Sequence, residues 1–355
     1  MIKSMTLVIL IAFACVTSSL CVVAQEDVAQ FGRSDAGQSL LIRSTTDIAA
    51  FAPLMNAFLK ANPEVSLRYE QWGSINLNEL SATNCHEGKG VADLVISSAV
   101  DLQTKLINDG CAQPYVSSFT SQLPETQNWR NELFGLTYEP AVIIYNRLLL
   151  TADQIPRSRF DLIDGLRPLN SRLAGRVATY DIEESGLGYL FAFIDSQQAN
   201  TFGRLMEAFG RSGAVATCCS AEIIDAVSYG SYLIGYNVLG SYALSRAETD
   251  PNIGVLAPAD YTLVLSRSAY IPRNATNSAL AKRFLDFALS PAGRQALRET
   301  RLIVNFSGDD ADIDLPGGAA ANLRLIPLSP RLLVGLDQHK RRIFLDLWRQ
   351  NLEAK

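Results

Sequence analysis

Alternation of strands and helices is the feature of this chain that most restricts its fold. Strands are predicted at 39–46, 65–72 and 92–97, where short apolar runs occur. A helical segment follows each of them, as in the run from Asp47, where apolar residues recur three and four positions apart. This order predicts a parallel sheet covered by helices, which is an α/β fold.

The same alternation returns in the second half of the chain. The predicted elements there are a strand at 176–180, helices at 185–194, 200–210 and 221–229, and extended segments at 232–236, 253–256 and 263–265. Between the two sets, 134–146 is predicted as two extended pieces broken at Pro140. Helices are predicted at 279–289, from Pro291 and at 332–352. A pattern repeated over 355 residues favours two lobes over a single core.

The composition excludes some classes of protein. Apolar residues make up 48% of the chain, which is ample for buried cores. The formal net charge of −5 is unfavourable for the phosphate contacts that nucleic-acid binding needs, so we expect no nucleic-acid partner. Beyond the first 24 residues, the sequence has no apolar run of about 18 residues that could span a membrane.

Residues 1–24 have the pattern of a secretory signal peptide. Lys3 precedes an apolar run at 7–16, and Val22-Val23-Ala24 stands directly before a polar segment. We therefore expect export and cleavage after this leader. The alternative is retention as a membrane anchor, since residues 5–24 are just long enough to cross a bilayer.

Four of the six cysteines lie beyond the leader, at Cys85, Cys111, Cys218 and Cys219. An even number of cysteines in an oxidising compartment suggests pairing. Cys85 and Cys111 flank one strand–helix unit, so we expect a disulfide between them. The adjacent Cys218 and Cys219 would need an unusual peptide geometry to pair. Free buried thiols and a redox role both remain open for them.

Hydroxyl-rich turns occur where predicted strands lead into helices. They are Ser44-Thr45-Thr46, Ser97-Ser98 and Ser185-Gly186. A helix N-terminus favours an anion through its unpaired N–H groups and its dipole, and such turns line the ligand crevice of open α/β sheets. N-capping explains any single turn equally well. Three such turns, divided between two sheet halves, favour a ligand cleft.

Motifs of catalysis are absent from the sequence. It contains no Gly-x-Ser-x-Gly, His-Glu-x-x-His, Gly-x-x-x-x-Gly-Lys-Ser/Thr or Gly-x-Gly-x-x-Gly. With only His86 and His339 available, a secreted hydrolase is the less favoured alternative. The acidic run at 309–314 lacks the terminal Glu of a calcium-binding loop. We expect no catalytic residue, no cofactor and no metal site.

Four stretches occur in a characteristic order along the chain. They are 92–103 (ADLVISSAVDLQ), 136–146 (LTYEPAVIIYN), 234–242 (IGYNVLGSY) and 279–295 (ALAKRFLDFALSPAGRQ). Together they resemble the type II periplasmic binding proteins of ABC transporters, in the branch that contains ferric-iron and sugar-phosphate binders. The resemblance covers roughly residues 39–295 and is more specific for the fold than for the ligand.

The resemblance implies two α/β lobes joined by two crossing strands and closing on a ligand like a hinge. The implied division is 25–138 with 262–300 for lobe 1, 139–261 for lobe 2 and 301–355 for a helical tail packed on the lobes. Crossings are implied near Thr137–Pro140 and Pro258–Leu263. The residues expected to bind the ligand are Ser44, Thr45, Thr46, Ser97, Ser98, Thr137, Tyr180, Ser185, Gly186, Tyr236, Asn237, Asp260 and Tyr261.

The expected cleft favours a small anionic solute. Ferric binders of the resembled branch usually present an adjacent Tyr-Tyr pair, and this sequence contains none. Turns rich in hydroxyl and amide groups suit a phosphorylated or carboxylated molecule better, with Arg43 and Arg267 as candidate bidentate partners. A ferric-iron transport protein remains the alternative.

The resemblance also implies a location and partners. The expected protein is a periplasmic monomer that delivers its ligand to the membrane permease of an ABC importer. The alternative partner is a membrane sensor kinase, for which the protein would act as a ligand-sensing accessory. Both roles need the same closing cleft, so the sequence leaves both open.

Overall fold

Two mixed β-sheets, each covered by helices, make up the fold. The computed structural model describes residues 25–89, 91–168, 170–198, 201–306, 311–313 and 322–352. The predicted leader and most of the acidic run at 309–314 lie outside these residues. Within the described ranges, no helix combines the length and apolar character needed to cross a membrane.

The elements in chain order are as follows. The strands are β1 (Gln25–Gly32), β2 (Gln38–Ser44), β3 (Val65–Trp72), β4 (Leu94–Ser97), β5 (Asn128–Trp129), β6 (Leu133–Gly135), β7 (Glu139–Asn146), β8 (Val177–Tyr180), β9 (Val215–Thr217), β10 (Ile234–Leu239), β11 (Ile253–Leu256), β12 (Thr262–Leu265), β13 (Ser268–Tyr270) and β14 (Leu323–Leu325). The helices are α1 (Ile48–Ala61), α2 (Ser74–Glu87), α3 (Val100–Asn108), α4 (Arg159–Leu166), α5 (Gly186–Gln198), α6 (Phe202–Ser212), α7 (Ser220–Ser228), α8 (Gly240–Ala247), α9 (Ser278–Leu289), α10 (Pro291–Glu299) and α11 (Gln338–Leu352).

The first sheet has the strand order β1-β3-β2-β4-β13-β6-β5. Its strands β3, β2 and β4 are parallel, as the alternation predicts, whereas β1 and β13 are antiparallel to their neighbours. Helices α1 and α9 cover one face and bury Phe51, Phe58 and Phe284 completely. The Phe58 and Phe284 rings pack edge to face with their centroids 5.0 Å apart.

The second sheet has the order β14-β12-β7-β10-β8-β9, and β11 also pairs with β7. Here β8 is parallel to β9 and β10, whereas β7 is antiparallel to β10 and β12. Because its middle strand β7 reverses direction, this half is a mixed sheet. Leu205, Phe209 and Ile234 lie at the centre of its core.

The chain passes from the first sheet to the second at 136–138, between β6 and β7, and returns at Ser266–Arg267, between β12 and β13. The second passage lies beyond the expected 258–263, because β12 (Thr262–Leu265) still pairs with β7 in the second sheet. The division into lobes remains a prediction. In the strand order, its second boundary falls at Ser266–Arg267.

Some predicted element boundaries are wrong. Pro140 does not break a strand; it is the second residue of β7, near the strand start, where a missing N–H is tolerated. Strand β10 runs to Leu239 instead of ending at residue 236. The final α-helix begins at Gln338, because a 3-10 turn occupies Pro330–Leu336 and the Asp337 carboxylate accepts the Lys340 N–H at 3.0 Å.

The described part of the C-terminal segment contacts both halves of the molecule. Strand β14 pairs with β12, and α11 packs on α6 with Trp348 buried in the second core. The turn at Pro330–Leu336 packs on α3 of the first half.

Cys85 in α2 and Cys111 after α3 form a disulfide with their Cα atoms 5.4 Å apart. This is the pairing that the sequence predicts, and it links the ends of two neighbouring helices. Cys218 and Cys219 are free thiols in the structure.

Candidate functional site

A cavity of about 320 Å³ lies between the two sheets. The wall from the first half consists of Glu26, Thr45, Asp47, Gln71, Trp72, Gly73, Ser74, Ser98 and Arg267. The opposite wall consists of Tyr180, Glu184, Ser185, Leu187, Cys218, Cys219, Ser220, Ala221, Leu239 and Tyr242. The volume is at the lower end of the roughly 300–1,000 Å³ typical of small-molecule sites.

Helix N-termini converge on this cavity. The first residue or the preceding residues of six helices (α1, α2, α3, α5, α7 and α8) line it, whereas none of the described helices ends there. Each places the positive end of its dipole there. The first N–H groups have no partner within their helix, although those of Ile48 and Gly186 donate to the side chains of Gln71 and Ser74. A larger surface groove of about 560 Å³, formed by the second half and residues 301 and 311–313, contains Arg147, Arg157 and Arg301 and is lined by the last turn of α8. Because six helix starts meet at the interlobe cavity, we take that cavity as the candidate site for an anion.

The hydroxyl groups of Thr45 and Ser98 lie next to each other in the wall from the first half. Thr45 Oγ1 accepts the Ser98 backbone N–H at 2.9 Å and lies 3.2 Å from Ser98 Oγ. Because β2 and β4 are adjacent parallel strands, the turns that follow them meet at the same edge of the sheet. Both side chains thus present hydroxyl groups to the cavity.

Arg267 in the second passage is the cation of the cavity. Its Nε donates to Glu139 Oε1 at 2.9 Å, and its Nη1 donates to Thr46 Oγ1 at 2.8 Å. The arginine side chain is 1% exposed and the glutamate 0%. Although burial lowers the pKa of Arg267, the Glu139 carboxylate together with Tyr242 and Asp47 more than offsets this and raises it above the ordinary value. The guanidinium is charged, held rigidly and partly neutralised.

Tyrosine hydroxyls organise the second wall. Tyr180 Oη lies 2.6 Å from Ser220 Oγ and accepts the Leu239 backbone N–H at 3.1 Å. Burial raises the pKa of Tyr180 above its ordinary value and that of Tyr242 to about 12. Both side chains are therefore neutral phenols near neutral pH.

Two pairs of residues are hydrogen-bonded across the cavity. Gly186 N–H donates to Ser74 Oγ at 2.9 Å, and Asp47 N–H donates to Tyr242 Oη at 3.2 Å. Each joins one sheet's helix N-terminus to the other half of the molecule. The two halves are thus in direct contact around the cavity.

Four of the predicted ligand residues line the cavity, namely Thr45, Ser98, Tyr180 and Ser185. Gly186 lies beside them through its bond to Ser74. These are the residues at the ends of β2, β4 and β8, where the sequence predicts a crevice.

Other predicted residues lie just behind the cavity wall. Ser44 Oγ accepts the Thr46 N–H, Ser97 Oγ accepts the Ala99 N–H, and Thr137 Oγ1 donates to Glu139. All are buried. These side chains shape the turns and hold Glu139, and Thr46 holds Arg267.

Tyr236, Asn237, Asp260 and Tyr261 lie outside the cavity. The first two are inside β10, whose end reaches the cavity only at Leu239. Asp260 and Tyr261 precede β12, several residues before the passage between the sheets. Their polar groups belong to a network inside the second half.

Arg43, a candidate anion partner, lies elsewhere too. Its Nε donates to Glu70 at 2.8 Å, and it lines a small cavity next to the Cys85–Cys111 disulfide. Arg267 does reach the interlobe cavity, as the sequence hypothesis requires.

Sequence reasoning missed much of the lining. Ser74 and Ser220 are the first residues of α2 and α7, and Tyr242 lies in the first turn of α8. The sequence predicted α7 from residue 221 and no helix at α8. A stricter search for Ser at helix starts would have found the first two.

One cluster among the described residues could ligate a metal, namely Cys218, Cys219 and Glu222, whose ligand atoms all lie within 4.8 Å of one another. The cavity also has acidic side chains in Glu26, Asp47 and Glu184. These carboxylates can accept hydrogen bonds from the hydroxyl groups of a ligand.

Comparison with known proteins agrees with this geometry. Residues 89–323 match the family of bacterial extracellular solute-binding proteins. Among curated proteins, a search found no match. The crystal structure of the substrate binding protein of an ABC transporter from Agrobacterium tumefaciens is 35% identical, with a TM-score of 0.85 over 92% of this chain and 98% of that one.

Two more distant structures share the fold. The periplasmic binding protein AfuA from Actinobacillus pleuropneumoniae, with fructose-6-phosphate bound, is 15% identical (TM-score 0.70; 90% of this chain and 100% of that one). The ferric binding protein from Campylobacter jejuni is 16% identical (TM-score 0.64; 88% and 98%). The predicted two-lobe type II fold is thereby confirmed, and the family match together with the Agrobacterium relative shows that this chain belongs to the bacterial extracellular solute-binding proteins.

Proposed function

We propose that this protein captures a small, hydroxylated anion of the sugar-phosphate type in its interlobe cavity and delivers it to an ABC importer. The observation that carries the anion is the convergence of six helix N-termini on one cavity. Each such terminus stabilises a negative group by about 0.3–1 kcal/mol, and by up to about 2 kcal/mol when partly buried. Arg267 adds a fixed cation.

The acidic side chains favour a ligand that also carries hydroxyl groups. Glu26, Asp47 and Glu184 line the cavity, so a bare anion would meet repulsion on that side. A sugar phosphate would place its phosphate at the helix N-termini and donate its hydroxyl hydrogens to these carboxylates. This combination supports a phosphorylated polyol over inorganic phosphate.

We infer that ligand entry requires the two halves to separate. The bonds Gly186–Ser74 and Tyr242–Asp47 hold the cavity shut. The chain connections at 136–138 and Ser266–Arg267 would act as the hinge between lobes. Closure on the ligand then adds the donors of both walls to one site.

We propose that the leader at 1–24 directs the protein to the periplasm and is cleaved after Ala24. The protein acts there as a monomer. Its partner is an ABC permease, and a membrane sensor kinase is the alternative. We propose that the ligand is bound and released unchanged. Intact mass of the exported protein would detect an N-terminus at Gln25, whereas a membrane-retained chain beginning at Met1 would contradict cleavage.

A thermal-shift panel tests the ligand class. The panel contains fructose-6-phosphate, fructose, inorganic phosphate, citrate, polyamines and ferric citrate. A ligand at 100 times its Kd stabilises the folded state by about 2.7 kcal/mol, so fructose-6-phosphate or a related sugar phosphate should raise Tm clearly. A shift with ferric citrate alone, together with a visible tyrosinate–iron absorption band, would replace the anion proposal by iron transport.

Neighbouring serines provide a matched pair of variants. Ser98→Ala removes a cavity hydroxyl and should weaken binding about tenfold, the effect of one lost hydrogen bond to a charged group. Ser97→Ala alters a buried turn hydroxyl and should leave the affinity unchanged. Ser185→Ala should weaken binding on the opposite wall, together with loss of the cap that accepts Gly188 N–H. Equal affinity in wild type, Ser98→Ala and Ser185→Ala would contradict the site.

A further inference from the structure

Two adjacent cysteines form part of the cavity wall. Cys218 and Cys219 occupy the turn between β9 and α7, and both line the interlobe cavity. Their Sγ atoms lie 2.7 Å apart. Both side chains are partly exposed, so small reagents that enter the cavity can reach them.

We propose that Cys218 and Cys219 are a redox-active pair that forms a reversible vicinal disulfide in the ligand cavity and thereby changes ligand affinity. The change in ligand affinity rests on the proposed function. Formation of the disulfide depends only on the geometry of the pair and on the compartment.

Two observations support formation of the disulfide. The sulfur atoms are already within about 0.7 Å of the bonded distance, which is about 2.05 Å. The family is extracellular, and the same chain carries a disulfide between Cys85 and Cys111, as expected of an oxidising environment.

Oxidation proceeds by exchange with a disulfide oxidant, either a small disulfide such as oxidised glutathione or the disulfide of a thiol oxidase. In this exchange Cys219 loses its proton to solvent and makes the first attack. Its thiolate attacks one sulfur of the oxidant, whose S–S bond breaks and releases a thiolate. Cys218 then loses its proton to solvent and attacks Cys219 Sγ, releasing the second thiolate. Two electrons pass from the cysteines to the oxidant, which becomes two thiols.

The product is expected to be easily reduced. Consecutive Cα atoms are about 3.8 Å apart across a trans peptide, closer than the usual 4.4–6.8 Å of a disulfide. Constrained and exposed disulfides have more oxidising potentials than relaxed structural ones. Cys85–Cys111 connects separate elements with its Cα atoms 5.4 Å apart and provides an internal reference.

Oxidation would alter the second wall directly. It removes two S–H donors and fixes the turn that presents Ser220 and the first N–H groups of α7. Ser220 also lies 2.6 Å from Tyr180 Oη, so the change reaches a second lining residue. The oxidised form should therefore bind the anion about tenfold more weakly.

The test equilibrates the full chain in glutathione buffers of increasing oxidised fraction, blocks free thiols with N-ethylmaleimide, and maps the peptides by mass. The Cys218–Cys219 peptide should carry two maleimides in reducing buffer. In oxidising buffer it should carry none and should have lost two hydrogens, while Cys85–Cys111 stays oxidised throughout. Cys218→Ser and Cys219→Ser should lose this transition.

Two results would overturn the proposal that the disulfide forms. One is two free thiols at every glutathione ratio. The other is one tightly held Zn²⁺ per chain that protects both thiols until a chelator is added, which would assign Cys218, Cys219 and Glu222 to a metal.

The affinity for fructose-6-phosphate is then measured by calorimetry in both redox states, with the double variant Cys218→Ser/Cys219→Ser as the redox-insensitive control. Tenfold weaker binding by the oxidised form supports the change in affinity, and equal affinity refutes it. Because thiol mapping needs no ligand, failure of fructose-6-phosphate to bind in either state would count against the proposed ligand class and not against the disulfide.

Discussion

Two buried arginines, Arg159 and Arg267, stand in nearly the same chemical surroundings and have different positions in the fold. Each is 1% exposed and pairs with a buried carboxylate, Asp195 or Glu139. Each lies near a tyrosine ring, with its guanidinium carbon 3.7 Å from the centroid of Tyr261 or 5.3 Å from that of Tyr242.

The difference lies in what the two pairs connect. Arg159 and Asp195 join α4, α5 and the segment before β12, all within the second half, and Asp195 also accepts bonds from Tyr236, Tyr261 and Asn237. Arg267 joins the second passage to Thr46 of the first half and lines the cavity. Of the two networks, only the one around Arg267 reaches the boundary between the halves, and it is the one that we propose for ligand binding.

The largest expected effect comes from breaking the internal pair. Arg159→Leu leaves the Asp195 carboxylate buried without its cation and should lower the free energy of unfolding by about 3–5 kcal/mol. The affinity of the folded fraction for ligand should not change, because the pair lies away from the cavity. Urea unfolding and calorimetry measure the two quantities. A large loss of affinity with unchanged stability would reverse the roles assigned to the two arginines.

Asp101 sharpens the comparison because it is a buried carboxylate without such a pair. It is 2% exposed, its Oδ1 has no hydrogen-bond partner, and burial raises its pKa to about 7, although Arg341 of α11 opposes this. Tyr189 of α5 lies near both groups, with its ring centroid 5.1 Å from the Arg341 guanidinium carbon.

The sign of the pH dependence follows from this shift. An unfolded Asp titrates near pH 3.9, so between about pH 4 and pH 7 the folded state holds a proton that the unfolded state has lost. Stability therefore falls as pH rises through this window. Asp101→Asn should be about 2–4 kcal/mol more stable than wild type at pH 8 and nearly equal at pH 4.5. Urea unfolding at both values tests this, and an identical difference at the two pH values would contradict it.

Replacement of arginine by lysine should lower the affinity for ligand at Arg267, which lines the cavity, and leave it unchanged at Arg159. Arg267→Lys keeps the charge but loses the planar donor geometry that spans Glu139 and Thr46, so affinity for fructose-6-phosphate should fall about tenfold to hundredfold. Arg159→Lys is the matched control and should bind as wild type does. Calorimetry of both variants measures the difference. Equal affinity in the two would remove Arg267 from the binding site.

The smallest effect concerns two tyrosine hydroxyls. Tyr236→Phe removes one bond to Asp195 and should cost about 1–1.5 kcal/mol of stability without loss of affinity. Tyr180→Phe removes the acceptor of Leu239 N–H in the cavity wall and should also weaken ligand binding. Denaturation and calorimetry of the pair would show whether the hydroxyls act as the two networks predict. Reduced affinity in Tyr236→Phe alone would contradict the comparison.

The sequence alone determined the parts of this protein that depend on local order. Short apolar runs followed by amphipathic helices identify β2, β3, β4 and β8 with their helices, because the spacing of apolar residues along the sequence indicates which side chains are buried. Cys85 and Cys111 flank one such unit, so their disulfide could also be predicted from the sequence. Hydroxyls at strand ends, such as Thr45 and Ser98, are then expected at the crevice.

Tertiary structure decided which polar residues line the interlobe cavity. Asn237 stands two residues short of the end of β10, and only pairing of β10 with β7 and β8 fixes that end at Leu239. Arg267 meets Thr46, and Tyr242 meets Asp47, across chain separations of 221 and 195 residues. Such contacts depend on strand register and on how two sheets pack, for which neither composition nor periodicity carries a signal.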